Sequence, residues 1–123
     1  MLLAVKENMI YDKSFSFAVE IVKLNKQLKN RNREFTMSNQ LLRSGTSIGA
    51  NVNEAIQGQS RKDFLHKMSI ALKEAAETEY WIKLLCASDY LSKEESEDML
   101  KNCQELIRLL TSIVKTTRNN LSQ

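Results

Sequence analysis

Apolar residues recur at three- and four-residue spacing in four successive stretches, the period of an α-helix that turns one face to a core. The first stretch carries Phe15, Phe17, Ala18, Ile21, Val22, Leu24 and Leu28 behind Asp12, a good N-cap, and predicts a helix over residues 12–30. The second, over 36–57, places Leu41, Gly45, Ile48, Val52 and Ala55 on a thin stripe and ends against Gly58, read as the glycine that closes a helix. The third, over 60–88, has Phe64, Met68, Ala71, Ala75, Ile82 and Leu85; the fourth, over 92–119, has Met99, Cys103, Leu106, Leu110 and Ile113. Ser60-x-x-Asp63 and Ser92-x-x-Glu95 open these last two with the spacing of a capping box. Residues 1–11 are left as an N-terminal arm. Their apolar start, Met1 to Val5, is too short for a signal core or a membrane span and runs at once into Lys6 and Glu7.

The links near Gln57 to Gln59 and Ser88 to Leu91 are too short for anything but antiparallel neighbours. The fold class is therefore all-α, an antiparallel up-down-up-down four-helix bundle forming one domain over 12–120. Composition agrees: the 123 residues include no proline and only three glycines, so nothing interrupts long helices, and 42% apolar residues suffice for a packed core. In a hairpin folded about Gly58, residues whose numbers sum to roughly 117 face one another. That sets Arg43 opposite Glu74 and Ser47 near Ile70.

Charge changes the picture only locally. The net charge is +3, but Lys23, Lys26, Lys29, Arg31 and Arg33 follow one another with no acid between them. A basic strip of this kind can meet phosphates. It can equally be a solvated helix end whose cations suit the helix dipole. No aromatic stacking platform lies between these cations, so any nucleic acid held here would be bound without regard to sequence.

Candidate chemistry is sparse. Gly45-Thr-Ser47-Ile-Gly49 matches the G-x-S-x-G string of a hydrolase nucleophile, with Asp63 and His66 in triad order, but that elbow needs a strand, a turn and a sheet that this sequence does not offer. In a helix the same string puts Gly45 and Gly49 one turn apart, where a neighbouring backbone can come close, and helix packing is the expected role. No phosphate-loop lysine follows Gly49. A lone histidine, two cysteines (Cys86 and Cys103) outside any C-x-x-C pair, and Glu74, Glu77 and Glu79 without Glu-x-x-His spacing give no expected metal site and no cofactor. The cysteines read as reduced thiols of a cytoplasmic protein. Arg43 is expected to form a partly buried polar network with Glu74 and Glu77. Tyr80 and Trp81 are sequence neighbours, about 100° apart on a helix, so one must leave the core stripe; the pair is the candidate oligomer contact, the alternative being an aromatic ring that lies along the bundle surface.

The blocks Arg43-Ser-Gly-Thr-Ser-Ile-Gly-Ala-Asn51 with Glu54, and Asp63-Phe64, Lys67, Ile70-Ala-Leu-Lys-Glu-Ala75, Glu77-Thr78 and Tyr80-Trp81, resemble the bacterial four-helix-bundle proteins encoded in 23S rRNA intervening sequences. Tyr11-Asp-Lys-Ser-Phe15 is similar to their opening as well. The resemblance implies a non-enzymatic bundle assembled as a ring, typically a homopentamer. It also implies kinship with the accessory proteins of diversity-generating retroelements, which bind a reverse transcriptase and nucleic acid. The expected function is thus a homo-oligomeric bundle that binds RNA or an RNA-associated protein such as a reverse transcriptase. The alternative is a protein-protein adaptor with no nucleic-acid role, and neither reading involves a membrane.

Overall fold

The computed structural model describes residues 2–123. Four helices make up the chain: α1 (Leu2–Asn32), α2 (Thr36–Ile56), α3 (Arg61–Ala87) and α4 (Lys93–Leu121). Each packs on the helices before and after it, and α1 closes against α4, so the order around the bundle is the order along the chain. Contacts along the seams show the antiparallel alternation. Asn25 Nδ2 donates to the Ser38 carbonyl at 2.9 Å between α1 and α2, Lys67 meets Glu54 at 3.4 Å between α3 and α2, and Arg31 meets Glu95 at 3.3 Å between α1 and α4.

Residues 3–11 do not form an arm, because α1 begins at Leu2 and runs unbroken through Asp12. Ile10 is fully buried and Ser14 nearly so, which extends the buried face one turn beyond the N-cap expected at Asp12. Burial of Ile10 outweighs the capping preference of an aspartate. Lys6 Nζ further ties this turn to Ser112 Oγ of α4 at 2.6 Å.

The helix starts follow local chemistry. Ser92 accepts from Glu95 N at 3.1 Å while Glu95 reaches back to Ser92 N at 3.0 Å, a complete capping box. Ser60 accepts from Asp63 N at 3.0 Å, but the aspartate, one methylene shorter than glutamate, makes no return bond among the described residues. At α2 the capping group comes from upstream: the Glu34 carboxylate accepts from Ser38 N at 2.8 Å and from Thr36 N at 3.2 Å. These bonds satisfy amides that no preceding turn can reach.

The chain reversals differ from expectation. Gly58 does not take the left-handed conformation of a helix-closing glycine; that conformation falls to Arg33 (φ 53°) and Asp89 (φ 67°). Tyr90 N then bonds back to Leu85 O at 2.9 Å, the wide closing bond of a Schellman-type end, while Glu34 N reaches one residue further back, to Leu28 O at 3.2 Å. Left-handed backbone costs an L-residue about 1 kcal/mol or more. Arg33→Gly should therefore raise stability by about 0.5–1 kcal/mol, the relief being partly offset by the greater freedom of glycine in the unfolded chain. An unchanged or lower urea midpoint would show that Arg33 contributes more through its guanidinium, which lies 5.8 Å from the Phe35 ring centroid, than its backbone costs.

The core is continuous. Ile21, Leu28, Leu41, Ile48, Phe64, Met68, Ile82, Leu106 and Ile113 are all at most 2% exposed. A buried pair of hydroxyls sits among them: Thr78 Oγ1 lies 2.9 Å from Ser44 Oγ and 2.7 Å from the Glu74 carbonyl, which joins α2 to α3 without an unsatisfied group.

Candidate functional site

The glycines set the spacing of α1 and α2. A Cβ at Gly45 would stand 2.8 Å from Ile21 Cγ1, and one at Gly49 would stand 3.3 Å from the backbone oxygen of Ser14. Ser47, the serine of the hydrolase-like string, lies in the middle of α2 with its hydroxyl given to the Arg43 carbonyl. Its neighbourhood is helix on both sides, and the strand-to-helix turn that exposes a nucleophile is missing. Asp63 and His66 are exposed at the start of α3. Among the described residues no three His, Cys, Asp or Glu side chains come together as a metal site.

Arg43 bridges α2 and α3 as a fork. Nη1 meets Glu74 Oε2 at 2.9 Å and Nη2 meets the carboxylate of Glu77. The Arg43 side chain is half exposed and that of Glu74 only 17% exposed, so the pair sits at the edge of the seam. Burial disfavours a charged Glu77, yet the hydrogen bond and the charge of Arg43 outweigh it and hold its pKa below the usual 4.5. Glu95 is also held low, first by the Ser92 backbone bond, and Glu105 first by its hydrogen bond from Lys13. A depressed carboxylate pKa adds stability above the unfolded value and loses it as pH falls through the folded one. The bundle should keep full stability at neutral pH and lose it progressively below about pH 4.5. Glu77→Gln combined with Glu95→Gln should flatten that acid limb in urea titrations; an unaltered limb would assign the acid loss to other groups.

The thiols are not a reactive pair. Cys103 is buried with its Sγ 3.3 Å from the Ala75 carbonyl, and burial, then the charge of Glu79, pushes its pKa up to about 12. Cys86 is half-buried and free, with the Ser96 hydroxyl donating to its sulfur at 3.1 Å.

The basic strip does not stay together. Arg31 turns to α4 and pairs with Glu95, Arg33 lies beside Phe35, and Lys23 sits 3.9 Å from Glu20 on its own helix. Within the strip, Lys26 and Lys29 have neither a carboxylate within 4 Å nor an aromatic ring beneath them among the described residues. The helical period separates Arg31 from Lys26 because five residues turn the side chain by about 140°.

Two aromatic surfaces remain uncovered. Tyr80 is 58% exposed on α3, with Trp81 half-buried beside it, the rings meeting edge to face at 5.2 Å. Trp81 Nε1 is buried without an acceptor. The other surface is on α1, where Phe15 is 64% exposed and Val19, Val22 and Tyr11 stand outside with it. Phe15 and Val22, which the spacing places in the core stripe, are thus outside the core. Ile10, Ser14, Phe17, Ile21, Leu24 and Leu28 take the buried arc instead, and a helix flanked by two neighbours cannot bury the opposite one. Beside Phe15 and Ala18, the groove between α1 and α2 has a volume of about 340 Å³ and is floored by Gly49. Phe15 and Phe17, two residues apart, could not both point inward, and that spacing is the signal the sequence offered for this surface.

Among the described residues, no helix is long and apolar enough to cross a membrane. A family model described as 23S rRNA-intervening sequence protein matches residues 6–112. A crystal structure of a protein of unknown function from the S23 ribosomal protein family of Bacteroides thetaiotaomicron is similar over 89% of this chain and 98% of its own, at 55% identity and a TM-score of 0.88. No curated protein matches.

Proposed function

Because the chain belongs to the 23S rRNA-intervening sequence protein family, we propose that it is a non-catalytic, cytoplasmic, homo-oligomeric bundle, a pentameric ring, that serves as a docking platform for RNA or an RNA-associated protein. The observation that carries the assembly is the exposed row of Phe15, Val19 and Val22 on α1. Three large apolar side chains in one helical row, outside a core that is already closed, are an interaction surface rather than scattered exposure. Light scattering tests it. The wild-type chain should have a mass several times its 14.2 kDa, and Phe15→Glu should reduce it to one chain without loss of helix; a monomeric wild type at high concentration would end the proposal.

The nucleic-acid part rests on Lys23 and Lys29, since Arg31 and Arg33 have partners within the chain. Two phosphate contacts to single-stranded RNA would cost about seven-fold in affinity between about 50 and 200 mM salt. Lys23→Glu with Lys29→Glu should abolish retention of RNA. A binding curve that ignores salt, or survives this reversal, would favour the protein-protein adaptor.

A further inference from the structure

Two exposed rows occupy corresponding positions on α1 and α3. On α1 the row is Asn8, Asp12, Phe15, Val19, Val22 and Lys26; on α3 it is Lys62, His66, Ser69, Lys73, Ala76 and Tyr80. Both advance by alternating steps of four and three, the spacing with which one helix seats along another. Ser69 is half-buried and the other eleven side chains are exposed.

The rows also lie at matching heights. Thr78 of α3 touches Ser44 of α2, next to Gly45, which abuts Ile21 of α1. Tyr80 is thus level with the stretch from Val22 to Lys26. Lower down, Lys67 pairs with Glu54, about one turn beyond the Gly49 that abuts Ser14, which sets His66 near the height of Ile10. Because successive helices are antiparallel, α1 and α3 point the same way. They stand at opposite corners of the bundle, since each contacts α2 and α4 and not the other.

We infer that the α1 row of one copy seats against the α3 row of the next, a head-to-tail contact between different faces of identical chains. This deepens the assembly reading and rests on it. In a parallel pairing Phe15 and Val22 meet the small Ser69 and Ala76, so large side chains enter gaps. Asp12 comes beside His66 and Lys62, and Lys26 beside the Tyr80 ring, a cation over an aromatic face. The antiparallel alternative would set Lys26 against Lys62, like charge on like. Parallel pairing at equal height needs neither inversion nor axial shift between copies. Such a contact has no axial rise to climb into a helical filament, and it closes a ring when the turn from one copy to the next divides the circle evenly.

Self-pairing of α1 about a twofold axis is the rival. It matches Asp12 with Lys26 and Phe15 with Val22, but it leaves Tyr80, 58% exposed, outside any contact. The head-to-tail contact covers both aromatic surfaces.

Single cysteines distinguish the two, placed in a Cys86→Ala background because Cys103 is buried and unreactive. Val22→Cys and Ala76→Cys are separately inert to oxidation in the head-to-tail arrangement. Mixed after dissociation and reassembly, they should give a covalent dimer containing one chain of each, and the double variant should give a ladder longer than two. Covalent homodimers of Val19→Cys, which only twofold self-pairing brings together, would overturn the inference. So would a mixture that yields no hybrid dimer while light scattering still shows a wild-type oligomer. A wild type that is monomeric throughout would instead remove the assembly reading beneath it. All three positions are exposed, so loss of fold does not confuse the result.

Discussion

Gly45→Leu lowers the unfolding free energy by about 3 kcal/mol or more, since extra methylenes forced into a filled core commonly cost 1–3 kcal/mol and occasionally more. Even a bare Cβ at this position stands 2.8 Å from Ile21 Cγ1 and 2.9 Å from Ile21 Cγ2, and Ile21 is fully buried. Alanine is a subtler case. It gains about 1 kcal/mol of helix propensity, which offsets part of the same clash. The test is urea unfolding followed by circular dichroism at one fixed protein concentration, because assembly couples stability to concentration. Adding Ile21→Ala to Gly45→Leu should restore part of the loss, a positive coupling between two changes that each destabilise alone. If Gly45→Leu unfolds at the wild-type midpoint, the close approach of α1 and α2 is not fixed by this glycine.

The second large effect is at the start of α3. Phe64 is 2% exposed and carries the Arg61 guanidinium 4.0 Å from its ring centroid. Phe64→Ala should cost about 3–5 kcal/mol, the loss of a buried ring plus the cavity it leaves. For a domain of this size that is between about a sixth and about four-fifths of the whole stability, which runs at about 0.05–0.15 kcal/mol per residue. Arg61→Ala should cost under about 1 kcal/mol, the scale of an exposed cation over a ring. The order of the two costs is the diagnostic: if Arg61→Ala equals Phe64→Ala, the ring matters mainly as a seat for the arginine and not as core.

Much of this architecture was legible in the residues. Five apolar positions of α2, six of α3 and five of α4 named from spacing alone are all buried, because a helix flanked by neighbours must turn its apolar side inward. Ser60 and Ser92 cap because their hydroxyls stand three residues ahead of an orphan amide, a relation that needs no tertiary contact. Hairpin arithmetic about a short link sets Arg43 opposite Glu74, and in the structure the same guanidinium also reaches Glu77, which makes the contact a fork. The comparisons then placed the chain in the family that its helix-two and helix-three blocks resemble.

What only the tertiary structure decided lies where one helix offers more apolar residues than its neighbours can cover. α1 carries a buried arc from Ile10 to Leu28 and a second, outward row of Phe15, Val19 and Val22, and spacing alone could not say which row meets the core. The turn that buries Ile10 also makes helix of what looked like an arm. The basic strip is continuous in sequence and divided in space: Lys23, Lys26 and Lys29 follow one another at three-residue spacing along α1, while Arg31 turns to Glu95 of α4 and Arg33 lies past the helix end beside Phe35. Local periodicity determines which side chains share a face; which face is covered, and by what, is settled by the partner helix and is written nowhere in the period itself.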